Sequence, residues 1–200
     1  TSNFTRAISA SERNDLIKEL GLKEGDMGLI TTSRLVIKNG VGDVIKALPK
    51  LAANIKFVIF GEGYMEQELK KLASDLGVSN RVIFRGYIAH AEMPKYLKTC
   101  DIFIRASLSE GLGNSFIEAM AAGLPVIATP VGGIVDFLKV GETGYFCEPN
   151  NPESVVKAVN LVLNDPKKNE IISNAQKMAL QKYDWRNIAR QMKEVFDSLK

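Results

Sequence analysis

Short β-branched apolar runs alternate with stripes of apolar residues at helical spacing through the first three quarters of the chain. Leu29-Ile30-Thr31-Thr32 has the character of a strand, after which Val41, Val44, Ile45 and Leu48 repeat as on one face of a helix. Phe57-Val58-Ile59-Phe60 is an unbroken apolar run stopped by Gly61, the pattern of a strand covered on both faces. Leu69, Leu72, Ala73 and Leu76 form the next helical stripe, closed by Gly77. Further strands are expected at Val82-Ile83-Phe84, Ile102-Phe103-Ile104, Pro125-Val126-Ile127-Ala128 and Tyr145-Phe146-Cys147. This rhythm predicts βαβ units and a doubly wound parallel α/β sheet of about six strands. The last quarter changes character: Asn151 to Asn164, Lys167 to Lys182 and Asp184 to Leu199 predict three successive helices with no strand between them.

Composition narrows the class without naming a chemistry. Two hundred residues suit one domain over 1–200 with a sizeable core, and 46% hydrophobic with 24% charged residues is ordinary for a globular protein. A net charge of +3, spread along the chain, gives no reason to expect a nucleic-acid partner. No run approaches the roughly 18 apolar residues of a membrane span. The first residues, Thr1 to Arg6, are polar and do not begin with Met, as expected of a chain cut from something longer. Cys100 and Cys147 are too few and too far apart for a zinc site or a disulfide framework, and suit buried free thiols in a reducing cytoplasm. His90 is the only histidine, which leaves no multi-histidine metal site and reads as a loop or helix-cap residue.

The stretch that changes this picture is Ser109-Glu110-Gly111-Leu112-Gly113-Asn114-Ser115-Phe116-Ile117-Glu118-Ala119-Met120-Ala121-Ala122-Gly123. Two carboxylates eight positions apart flank a Gly-X-Gly turn that runs into a helix. A helix start attracts anions, and carboxylates accept hydrogen bonds from hydroxyls, so the pattern suits a ligand carrying both phosphate and sugar. A structural explanation competes: Ser115-X-X-Glu118 has the spacing of a capping box, and Asn114 or Ser115 alone would serve as a helix cap. For Glu110 the structural explanation is weaker: a loop carboxylate before a helix would simply favour its dipole. Arg34 and Lys38 follow the first predicted strand, where they would face a diphosphate or simply be solvated. Gly61-X-Gly63 has Glu66 where a dinucleotide fingerprint needs its third glycine, which disfavours a hydride-transfer cofactor and leaves a tight turn.

Glu110-X7-Glu118 followed by Ala-Met-Ala-Ala-Gly-Leu-Pro-Val-Ile-Ala-Thr and Gly132-Gly133 resembles the signature of retaining family 4 (group 1) glycosyltransferases of the two-domain GT-B fold. Ser33-Arg34-Leu35, Phe60-Gly61-Glu62-Gly63, Arg85-Gly86-Tyr87, Cys100 to Ile104 and Thr143-Gly144-Tyr145 extend the resemblance over nearly the whole chain. It matches the C-terminal, Rossmann-like, donor-binding half alone, with Phe4 and a helix over Ser11 to Leu20 as its lead-in. The resemblance implies a nucleoside diphosphate sugar as substrate, with no cofactor and no metal. It assigns Glu110 to the transferred sugar, Glu118 to the ribose, and the backbone of Gly111, Leu112, Gly113, Asn114 and Ser115 to the diphosphate. Arg34 and Lys38 would offset charge on the leaving group; Asn39 and Gly61 would adjoin the donor, and Gly86, Tyr87 and Ile88 would meet the base. The family pattern has lysine where Asn39 stands, one place after Lys38, and a shift of one residue redirects a side chain. Its Gly-Gly-X-X-Glu ends here in Asp136.

The implied partner is an N-terminal domain absent from this chain, and the implied setting is the cytoplasm, with room for peripheral association of the full-length enzyme at the inner face of the membrane. Two rival functions remain at this point: another GT-B-type enzyme such as an epimerase, and a stand-alone nucleotide-binding or interaction module. The stripe Ile188, Met192, Val195 and Leu199 on the last helix would be partly uncovered without that domain, and would favour self-association.

Overall fold

A computed structural model describes residues 2–199. Its centre is a sheet of six parallel strands: β1 (Met27–Thr32), β2 (Ile55–Phe60), β3 (Val82–Gly86), β4 (Ile102–Ile104), β5 (Val126–Ala128) and β6 (Tyr145–Phe146). The order across the sheet is β3-β2-β1-β4-β5-β6, so the chain winds one way from β1 and then returns to wind the other way from β4. Eight helices accompany it: α1 (Ala10–Glu19), α2 (Val41–Ala47), α3 (Glu66–Asp75), α4 (Met93–Leu97), α5 (Asn114–Ala122), α6 (Pro152–Asn164), α7 (Lys168–Lys182) and α8 (Trp185–Ser198).

The unbroken apolar runs are explained by the two faces they serve. Alternate strand residues fall into separate cores: Leu29, Phe57, Ile59, Ile102, Ile104 and Ile127 join α2, α3 and α6 on one face. Ile30, Val58, Phe60, Phe103, Val126 and Ala128 join α1, α4, α5 and α7 on the other. A strand side chain such as Phe57, fully buried, contributes about 1.5–3 kcal/mol through removal from water. Cys100 and Cys147 lie inside these cores as free thiols, and burial pushes the Cys147 thiol up to about 12.

The strands and helices expected from the pattern are all present, with their ends adjusted. Pro125 stands just before β5 and Cys147 just after β6, although the Cys147 N–H still donates to the Ala128 carbonyl at 2.8 Å. Several pieces had no periodic signal because they are too short to show one, among them the five-residue α4 and the 3-10 turn over Gly132–Asp136. Helix α8 has no buried residue, and Trp185, Met192, Val195 and Phe196 are all exposed on it. Among the described residues no helix is long and apolar enough to cross a membrane.

Candidate functional site

Ligands of doubly wound sheets bind beyond the carboxyl ends of the strands, where the winding reverses and the loops diverge. Here that point lies between β1 and β4. The loops leaving these two strands are tied together. The Leu108 N–H donates to the Lys38 carbonyl at 2.7 Å, and Arg105 Nη1 donates to the carbonyl of Thr32, the last residue of β1, at 3.2 Å. Gly40, in the left-handed region at φ 62°, presses against the β4 loop: a Cβ there would stand 1.8 Å from the Ala106 carbonyl oxygen.

Glu110 is held by a buried ion pair that sequence reasoning missed. Arg105 Nη2 lies 2.6 Å from Glu110 Oε1, with the two side chains only 7% and 11% exposed. Ser107 Oγ donates to the same oxygen at 2.8 Å and accepts from Arg105 Nε at 3.1 Å. Arg105 Nη1 also donates to Ser115 Oγ at 2.9 Å, and the guanidinium lies 4.4 Å from the centre of the Phe116 ring. Burial lowers the Arg105 pKa from its ordinary value and Glu110 opposes that shift, as a charged pair sharing a dry site should. The signal was in the sequence: an arginine directly after the apolar strand Ile102-Phe103-Ile104 cannot sit buried without an anionic partner. Glu110 Oε2 remains, turned toward the start of α5, 3.9 Å from where a Cβ on Gly113 would stand.

The capping box is not formed. Gly113, at φ 73° and ψ 57°, is itself the N-cap, and no side chain caps the helix. Helix α5 therefore starts at Asn114, earlier than the box requires, and neither Asn114 nor Ser115 occupies the capping position. Ser115 Oγ is committed to Arg105, while Glu118, a turn further on, pairs with His90 Nε2 at 2.8 Å. No acidic residue lies in the first turn of α5, and the first N–H groups of a helix have no partner within it. The Phe116 N–H is met by the Gly113 carbonyl at 3.0 Å, so the start of α5 offers the N–H groups of Asn114 and Ser115, which no side chain caps, beside the Glu110 carboxylate.

The other expected residues are placed as follows. Arg34 and Lys38 are exposed on the β1 loop. Asn39 is buried, and its Nδ2 donates to the Arg34 carbonyl at 2.7 Å, so the amide shapes that loop from within. The Gly61 N–H donates to the Gly86 carbonyl at 2.8 Å, and a Cβ on Gly61 would stand 1.9 Å from the Ser33 carbonyl oxygen, which makes it a close contact between strand-end loops. Tyr87 is exposed with its N–H donating to Glu62 Oε1 at 3.4 Å, and Ile88 packs against the core. Gly133 from the loop after β5 donates to the Gly111 carbonyl at 2.8 Å, bracing the Glu110-Gly111 backbone. His90, expected to be a loop or helix-cap residue, lies on a loop and also joins the motif through Glu118, meeting the Phe4 ring edge-on with centres 5.5 Å apart. Among the described residues no group of three or more His, Cys, Asp or Glu side chains is gathered as a metal ion would require.

The fold is shared with known proteins. An uncharacterized glycosyltransferase of Methanocaldococcus jannaschii is 33% identical over 196 residues, covering 96% of this chain and 50% of the relative. The crystal structure of Anabaena HepE in complex with UDP superposes with a TM-score of 0.90 at 28% identity, covering 98% of this chain and 55% of that one. The C-terminal domain of a group 1 family glycosyl transferase from Francisella tularensis, 26% identical, superposes with a TM-score of 0.79 over 92% of this chain and 97% of that one. The chain thus spans about half the length of the first two and matches the third nearly end to end. The family model for group 1 glycosyl transferases matches residues 12–178, and the chain belongs to that family, with the fold of a GT-B C-terminal domain.

Proposed function

We propose that this chain is the donor-binding half of a retaining, metal-independent glycosyltransferase that moves a hexose from a nucleoside diphosphate sugar to an acceptor. The observation that carries the reading is the open N-terminus of α5 beside Glu110, at the point where the sheet reverses its winding. Uncapped donors and the positive end of a helix dipole suit a diphosphate. Arg34 and Lys38, exposed on the facing loop, would neutralise charge as the diphosphate leaves, the task a metal ion performs elsewhere. Glu110 Oε2 would accept from hydroxyls of the transferred sugar, Glu118 from the ribose, and the Gly86-Tyr87-Ile88 loop would border the base. Asn39 and Gly61 would serve by shaping the floor rather than by touching the donor.

The UDP complex of the Anabaena protein makes a uridine donor the first to test and a guanosine donor the second. The acceptor would bind on an N-terminal domain that this chain lacks, so the chain alone should hold a donor and transfer nothing. Its buried thiols suit a cytoplasmic enzyme, met at the inner face of the membrane when the acceptor is a lipid. Calorimetric titration with UDP, GDP and their hexose conjugates tests the reading, with micromolar to millimolar binding of one series expected. No binding of any nucleoside diphosphate at millimolar concentration would overturn it, and so would isomerisation of a donor sugar without acceptor, seen by NMR.

A further inference from the structure

The lone histidine of the chain is exposed, on a loop rather than in a core, and yet its ring is fixed at two points. His90 Nε2 lies 2.8 Å from Glu118 Oε1, and the ring meets Phe4 edge-on. The backbone around it is ordered too: the His90 carbonyl accepts from the N–H of Met93, at the start of α4, at 3.3 Å. A carboxylate only accepts, so the proton of this hydrogen bond sits on Nε2. Glu118 is 22% exposed against 72% for His90, so the histidine reaches from the surface over a largely covered carboxylate.

We infer that His90 is a positioning residue for nucleoside recognition: it holds Glu118 by one oxygen so that the other meets the ribose hydroxyls of the donor. This rests on the proposed role of Glu118 toward ribose. Without His90, a glutamate on a helix has three rotatable bonds, and among the described residues no other group hydrogen-bonds Glu118; Arg105 acts on it only through space. Fixing the carboxylate beforehand removes that ordering cost from binding. A nucleoside without hydroxyls would leave a largely covered carboxylate oxygen unpaired, which is how a polar site rejects an analogue lacking its partner. His90 would then contribute to choosing ribonucleoside over dideoxyribonucleoside diphosphates, a selection by hydroxyl rather than by base.

The test is calorimetric titration of the protein and of its His90→Ala and Glu118→Ala variants with UDP and with 2′,3′-dideoxy-UDP, or with the guanosine pair if that base proves to be the ligand. Wild type should prefer the ribonucleotide by about tenfold or more, the range of hydrogen bonds to a charged group. His90→Ala should weaken the ribonucleotide several-fold and leave the dideoxy compound unchanged, with the melting temperature intact because the side chain is exposed. Equal weakening of both nucleotides, no weakening, or tighter ribonucleotide binding would each overturn the inference. If Glu118→Ala keeps the wild-type preference, the ribose assignment of Glu118 falls, and the inference with it. If Glu118→Ala abolishes the preference while His90→Ala keeps it, the assignment stands and only His90 loses its role.

Discussion

Helices α5 and α6 begin in opposite ways. At α6 the chain satisfies its own helix start: Asn151 Oδ1 accepts from the Ser154 N–H at 3.1 Å, Pro152 opens the first turn and removes a donor, and Glu153 complements the dipole. Ser154 Oγ in turn accepts from the Glu148 N–H at 2.9 Å. At α5 none of this is done, since a left-handed glycine leads in, no side chain caps, and no acid sits in the first turn. At α6, which packs against the sheet away from the reversal, the helix closes its N-terminus on itself. A helix left open at the reversal of the sheet, with a carboxylate pinned beside it, has donors to give to a ligand. The two carboxylates of the motif differ as well: Glu110, in the loop before α5, is locked by a buried arginine, and Glu118, on the helix, by an exposed histidine.

The largest effect expected of a single change is at Arg105. Arg105→Leu would strand Glu110 without its cation in a nearly dry site, a loss of about 3–5 kcal/mol, to be read as the drop in urea midpoint. A loss under about 1 kcal/mol would mean that the pair is solvated and the comparison with a surface carboxylate is wrong. Next comes Gly113→Ala, which forces φ 73° on a residue with a Cβ placed 2.8 Å from the fully buried Phe116 ring. It should cost about 1–3 kcal/mol and also weaken nucleoside diphosphate binding at least tenfold, because the helix start moves.

Asn151→Ala is the counterpart at α6: about 1 kcal/mol of stability lost, nucleotide affinity unchanged. If both variants changed affinity alike, the open start of α5 would have no special part in binding. An effect of similar size, dependent on pH, lies at the other end of α6, where the Tyr145 hydroxyl donates to Asp165 Oδ2 at 2.9 Å. Burial, then this hydrogen bond, raises the Tyr145 pKa above its ordinary value of 10.0. The stabilisation is therefore full below about pH 10 and declines as pH rises through the folded-state value. Tyr145→Phe should cost about 1 kcal/mol at neutral pH, and the gap to wild type should close above pH 10 in melting curves.

How much of this was legible beforehand depended on how local the cause was. The strands at Phe57 to Phe60 and Ile102 to Ile104 declared themselves, because a strand covered on both faces must be apolar at every position. The helical stripes at Leu69 to Leu76 and Val155 to Val162 did so by period. The motif from Glu110 to Glu118 was visible too, but its inner bonding was not. Spacing put Ser115 and Glu118 in a capping box, whereas the helix starts one residue before Ser115, and the two side chains turn to Arg105 and His90 instead. Asn39 reads as a donor-side residue from the resemblance, and its tie to the Arg34 carbonyl was not legible in the sequence.

By itself the sequence determined the alternating, doubly wound α/β architecture and the strand-end segment expected to carry a site, while the structure located the reversal between β1 and β4. Architecture and segment follow from hydrophobic period, glycine placement and the rule that ligands gather at strand carboxyl ends, all readable in one dimension. Tertiary structure alone decided which partner each carboxylate takes. Arg105 is five residues from Glu110, and His90 is twenty-eight from Glu118. A carboxylate pairs with whichever donor the packing brings within about 3 Å, and sequence distance does not enter that choice.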